Sequence, residues 1–196
     1  MQPSNRAVAQ KIHLQSANFV LRTMEIADAD RDWGRWLADP LTAHMLNAMP
    51  KALSLEERTA YVRSFDSRAC HLLGIFEKAR GEMVGFWSIY VDERQKAFLL
   101  NVLVGSVERR HHGAVKETRH LLYRHFFETL GMERAQCSVA AQNKRMIDFL
   151  LANCWKRTGM GRSAAASGSS EVDIHLFELT REAWRQRAQG HARPAP

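Results

Sequence analysis

Val107–Thr118, VERRHHGAVKET, follows an apolar run and precedes a helical pattern, and it sets two arginines and two histidines against one glycine. At a strand-to-helix junction the first helical turn carries backbone N–H groups with no intrahelical partner, and the helix dipole adds partial positive charge there, so an anion is favoured. Arg109, Arg110, His111 and His112 bring further positive charge to the same end. Gly113 lets the backbone come close to a ligand, and Ala114 keeps the space small. A diphosphate suits such a turn. An exposed basic loop accounts for the same residues, so the local chemistry leaves both readings open.

Before this stretch, three segments read as a meander of strands. Cys70–Glu77 and Met83–Val91 flank the turn Lys78-Ala79-Arg80-Gly81, and Lys96–Val104 follows. Further forward, Ser54-Leu55-Glu56-Glu57 has the form of a capping box and predicts a helix through about Phe65. Asp28–Asp39 places Trp33, Trp36 and Leu37 at helical spacing, with Pro40 expected to end that helix. Ala17–Met24 alternates and is rich in β-formers, so it reads as the first strand.

After the stretch the period changes. Val115, Leu122, Phe126 and Leu130 form one stripe, Lys116, His120 and Arg124 the opposite one, and Gly131 is a natural stop. Arg134–Ala141 returns to strand, and Asn143 opens a helix with Met146, Ile147, Leu150 and Leu151 inward. Trp155–Met160 and Val172–Leu179 read as final strands, with the low-complexity run GRSAAASGSS between them. The order β-α-α-β-β-β-α-β-α-β-β is that of a mixed α+β domain with strands and helices interleaved. Its expected limits are 17–184, with a flexible arm over 1–16 and a disordered basic tail over 185–196.

The composition, 45% hydrophobic and 25% charged over 196 residues, is that of an ordinary globular chain. No apolar run approaches the ~20 residues that span a bilayer, and no basic-then-apolar leader opens the sequence, so a cytoplasmic protein without a membrane partner is expected. Three scattered cysteines, Cys70, Cys137 and Cys154, argue for free thiols. His111 and His112 are adjacent and His120 and His125 five apart, so no helical zinc pair arises and no metal is expected. The net charge of +7 favours polyanionic partners. No interleaved basic and aromatic motif accompanies it, so nucleic acid is not expected.

Several motifs in order resemble the GNAT (Gcn5-related N-acetyltransferase) family, nearest the branch of ribosomal-protein N-terminal acetyltransferases. LRTMEIADADRDWGRWLADP resembles that branch's opening, GEMVGFWSIY its third strand, and DIHLFELTREAW its last strand with the Leu-Thr-Arg-Glu-x-Trp ending that follows it. The resemblance runs from about Phe19 to Trp184. It implies a GNAT fold: a mixed, mostly antiparallel sheet of about seven strands flanked by about four helices. It also implies acetyl-CoA or another acyl-CoA as co-substrate, a primary amine as acceptor, and direct attack in a ternary complex. A homodimer through a final strand is compatible with it.

The family's pyrophosphate turn, Gln/Arg-x-x-Gly-x-Gly/Ala, falls on Arg110, His111, His112, Gly113, Ala114 and Val115, with Val115 where a small residue is usual. Arg109 and the strand end Val102, Leu103 and Val104 join these as cofactor-binding expectations. Asn143 matches the asparagine that opens the family's next helix. The tyrosine that supplies the general acid in many members is replaced by Leu150, and the serine of other members by Met146. Neither replacement carries a proton to give. Asn101, Cys137 and Ser138 remain as catalytic candidates on the central strands. The two departures make a non-catalytic module, binding CoA or a protein partner, the alternative expectation.

Overall fold

Met83–Val91 holds seven consecutive buried residues before its exposed end, the pattern of a strand covered on both faces. It becomes β4 (Met83–Asp92) at the centre of the fold. The structure is a computed structural model that describes residues 10–46, 48–105, 113–164 and 171–190. Its other elements are β1 (His13–Gln15), β2 (Phe19–Thr23), α1 (Pro40–Met45), α2 (Leu55–Arg63), β3 (Cys70–Glu77), β5 (Ala97–Val104), α3 (Ala114–Arg124), β6 (Arg134–Ala140), α4 (Lys144–Leu151), β7 (Lys156–Ala164), β8 (Glu171–Thr180) and α5 (Arg181–Gly190).

The strands form one sheet of eight in the order β1-β2-β3-β4-β5-β6-β8-β7. Every pairing is antiparallel except β5 with β6. The architecture is the α+β GNAT fold expected from the sequence, with β1 as an additional strand. The hairpin at Lys78–Gly81 joins β3 to β4, and Gly81 takes the positive φ of 66° that the turn needs.

Each face of the sheet carries its own apolar layer. On one, α3, the π-helical turn His125–Thr129 that continues it, and α4 seat Leu122, Phe126 and Leu150 against Leu73, Ile89 and Phe98. On the other, Trp33 and Val62 pack on Leu72, Phe76 and Phe86. Phe98 and Phe126 are stacked with centroids 4.8 Å apart, and both are fully buried. Removing either from water contributes about 1.5–3 kcal/mol.

Four expectations are corrected. Asp28–Asp39 is not one helix but two 3-10 segments, Ile26–Asp30 and Asp32–Ala38. The cause is Asp28, whose carboxylate accepts from the Glu25 N–H and from Arg22 and Arg31, while its carbonyl accepts from the Trp33 indole. Pro40 begins α1 instead of ending a helix, because its missing N–H costs nothing at the first position and Asp39 caps the Thr42 N–H. The arm over 1–16 holds β1, which pairs with β2. The tail over 185–196 starts as helix: α5 reaches Gly190, and Arg185 makes two hydrogen bonds of 2.7 Å to Glu128.

Candidate functional site

β5 and β6 run side by side only from Ala97 to Leu99, against Arg134 to Gln136. Beyond Leu99 the two strands part, while β5 stays paired to β4 as far as Val104. Parallel neighbours that diverge open a wedge, and β5 then presents one backbone edge without a strand partner among the described residues. Val102, Leu103 and Val104 all lie on this split portion, opposite Trp87, Phe86 and Gly85 of β4.

Two cavities fill the wedge. The inner one, ≈ 220 Å³, is walled by Asn101, Val102, Tyr123, Cys137, Ser138, Asn143 and Leu150 among others. The outer one, ≈ 450 Å³, is walled by Leu103, Val104, Gly113, Lys116 and Arg145. Met45, Val102, Val115, Asn143 and Phe149 belong to both, so the cavities are successive parts of one cleft.

Helix starts border the cleft on two sides. Gly113 caps the N-terminus of α3 at φ 77°, a left-handed conformation, and a Cβ built there would meet nothing within 4 Å among the described residues. Glycine is therefore favoured by the backbone angle and not by crowding. Ala114 is buried in the first turn, and Val115 follows it facing both cavities. Asn143 caps α4, its side-chain oxygen accepting the Met146 N–H at 3.2 Å. Its Nδ2 donates to the Met45 carbonyl at 3.3 Å, and Gln142 Nε2 donates to the His44 carbonyl at 3.2 Å. The C-terminal end of α1 is thereby fastened over the mouth of the wedge.

Of the sequence-derived site residues, Asn101, Val102, Leu103, Val104, Cys137, Ser138, Gly113, Val115 and Asn143 all line this cleft. Ala114 sits behind its neighbours, its carbonyl accepting from the Thr118 hydroxyl. Arg109, Arg110, His111 and His112 lie outside the described residues. Burial pushes the Cys137 thiol up to about 12, so it stays a protonated thiol near neutral pH. Leu150 is buried in the inner wall where the resemblance leads one to look for a tyrosine. Among the described residues, no three His, Cys, Asp or Glu side chains are grouped as a metal site.

Two wall residues were missed by the sequence reading, Arg119 and Tyr123 on α3. Tyr123 falls between the inward and outward stripes and Arg119 lies on the inward one, four residues after Val115; only the split of the sheet tells that this flank faces a cavity. Arg119 lies over the Phe149 ring, 4.8 Å from its centroid. Desolvation is the main influence on it and lowers its pKa, the like charge of Arg187 acting in the same direction. Tyr123 is 6% exposed, and burial raises its phenol well above the ordinary tyrosine value. The Trp155 ring lies 6.2 Å from the tyrosine ring, centroid to centroid.

The acetyltransferase (GNAT) domain family matches this sequence over residues 18–153, which includes β5, β6, α3 and all of α4. The chain belongs to the GNAT acetyltransferase family. Solved structures share its fold. A candidate acetyltransferase from T. thermophilus is similar with a TM-score of 0.77 at 22% identity, covering 95% of this chain and 100% of that one. The spermidine N-acetyltransferase from Vibrio cholerae, solved with CoA and spermine, gives 0.73 at 11% identity over 87% of this chain and 99% of that one. A candidate ribosomal-protein-serine acetyltransferase from Vibrio cholerae gives 0.68 at 18% identity over 86% and 97%. No curated protein matches the sequence. In this GNAT chain the wedge between β5 and β6 stands where the sheet pairing itself stops.

Proposed function

We propose that the protein transfers an acetyl or short acyl group from acyl-CoA to a primary amine, by direct attack in a ternary complex. The observation that carries this reading is the split of β5 from β6 beyond Leu99, which opens a cleft between the starts of α3 and α4. A pantetheine arm is an extended chain of amides. The free β5 edge from Val102 to Val104 supplies main-chain groups to pair with it, as a strand would. The N-terminus of α3, with Lys116 beside it, suits the pyrophosphate, and Arg109 to Val115 are its proposed cradle.

The chemistry then asks little of side chains. A thioester is activated for attack by nitrogen, and holding the amine against its carbonyl carbon supplies much of the acceleration. A backbone N–H of the split strand near Val102 serves to polarise that carbonyl. The protonated Cys137 thiol supports attack by the acceptor itself over a covalent acyl-cysteine stage. Asn101 and Ser138, on opposite sides of the wedge, are the polar groups proposed to orient the amine.

The test combines binding with turnover. Acetyl-CoA raises the melting temperature, and a panel of peptide N-termini, polyamines and amino sugars includes at least one acceptor that releases free CoA thiol. An unmoved melting temperature together with no thiol release overturns the reading. Leu150 motivates a second one, a module that binds CoA without turning it over. Stoichiometric CoA binding with no thiol release across the panel decides for it.

A further inference from the structure

We infer that Tyr123 on α3 is the proton donor to the departing thiolate, taking over from α4 the role for which Leu150 is unfit, with Arg119 one turn earlier as its positioning residue. This rests on the acyl-transfer reading. Tyr123 and Leu150 are walls of the same inner cavity, with Asn101 and Cys137 between the strands that part there. A hydroxyl lost from the α4 wall therefore has a counterpart on the α3 wall of the same 220 Å³ space.

The surroundings of the phenol say what it can do. The neighbouring Trp155 indole can only donate, so it does not compete for the Tyr123 hydroxyl hydrogen. Arg119 and Cys137 line the same inner cavity as Tyr123. Ring contacts fix its direction: Trp155 lies 6.2 Å and Phe127 6.0 Å from the tyrosine centroid. Burial keeps the phenol protonated at working pH, so it serves as donor and not as base. Arg119 opposes that effect of burial, and its place over Phe149 holds a positive charge beside the site where negative charge develops.

In this step the amine nitrogen bonds to the thioester carbonyl carbon and loses one proton to water. The carbon–sulfur bond breaks with its electron pair on sulfur, and sulfur takes the Tyr123 hydroxyl proton to leave as CoA thiol. Water then returns a proton to the phenolate.

The experiment is Y123F in the full chain, assayed with acetyl-CoA and the acceptor found in the amine panel. General acid catalysis is worth roughly 10²–10⁴-fold, and a thiolate is a fair leaving group, so a fall in kcat near the low end is expected, about 30–100-fold. The melting-temperature rise given by CoA alone stays as in the unaltered protein. With an aromatic thioester, whose thiol is far more acidic than an alkyl thiol of pKa about 8.5, the fall shrinks to about threefold or less. The double variant Y123F/L150Y, which returns a phenol to α4, recovers at least tenfold of the lost kcat.

An unchanged kcat, or equal losses with both donors, overturns the assignment while leaving acyl transfer standing. Absence of turnover by the unaltered protein with every acceptor overturns both. Where Y123F does not fold, replacing all three tyrosines with 3-fluorotyrosine shifts the alkaline limb of kcat to lower pH, and an unshifted limb overturns the assignment.

Discussion

Asn143 Nδ2 donates to the Met45 carbonyl at 3.3 Å, joining residues 98 positions apart in the chain and fastening the end of α1 to the start of α4. The same side chain caps α4 through its oxygen, which accepts the Met146 N–H. One amide thus stabilises a helix and closes one side of the wedge.

The two duties separate by mutation. Asn143→Asp keeps the cap but cannot donate to Met45, and Asn143→Ala loses both. Loss of an N-cap costs about 1 kcal/mol. N143A is therefore expected to melt about 2–4 °C lower. N143D is expected to melt close to the unaltered protein, yet to show the same weakened thermal response to CoA as N143A. Differential scanning fluorimetry with and without CoA checks this, and an undiminished response in N143D refutes the functional half.

Gly113 separates backbone strain from space. Its φ of 77° penalises any L side chain, although a Cβ would meet nothing within 4 Å among the described residues. Gly113→Ala is expected to cost about 1 kcal/mol and Gly113→Asn less, since asparagine tolerates the left-handed region. The order of melting temperatures should be glycine, asparagine, alanine. An alanine variant as stable as the glycine one would show that the turn relaxes.

Asp28 is 4% exposed and accepts from both Arg22 nitrogens at 2.8 Å and from Arg31 at 3.1 Å. Burial pushes its carboxyl up, but those arginines and the Glu25 N–H outweigh burial and hold it below its ordinary value. Asp28→Asn leaves Arg22 in a part-buried place without its counter-charge, a loss of about 3 kcal/mol. At about 2–4 °C per kcal/mol the melting temperature should fall by roughly 6–12 °C. Chemical denaturation reads the same loss, and a change under about 1 kcal/mol would contradict this account.

His71 is 3% exposed, its Nε2–H donating to the Arg68 carbonyl at 3.0 Å while Nδ1 has no partner among the described residues. Burial lowers its pKa, and Phe126 separates it from His125, which burial lowers as well. A histidine depressed in the folded state binds its proton more readily when unfolded. Its stabilising contribution is full above the unfolded value of about 6.5 and is lost as pH falls from there through the folded value. The melting temperature should thus decline below about pH 6.5, and His71→Phe should flatten that decline. An equal decline in the variant assigns it to other groups.

Much of the local structure could be read from residues alone because its causes are local. Ser54 and Glu57 do cap each other at α2, the Lys78–Gly81 turn does join two strands, and Lys116, His120 and Arg124 do face water while Leu122 and Phe126 are buried. Local reasoning failed at Asp28–Asp39 because one buried carboxylate draws its partners from β2 and from Arg31, and so decides the winding of a segment whose spacing alone suggests an α-helix. Periodicity carries no account of such a partner.

The sequence by itself determined the order of strands and helices from α2 to β8, the glycine at the head of α3 and the asparagine at the head of α4, since caps, turns and apolar repeats act over a few residues. Only the tertiary structure decided where the sheet opens. β5 and β6 stay paired for three residues and then part, a pairing between segments some 37 residues apart in the chain that no local pattern encodes. That parting turns one flank of α3 into a cavity wall, and it is why Tyr123, unremarkable as a letter in a helix, stands across the wedge from Leu150.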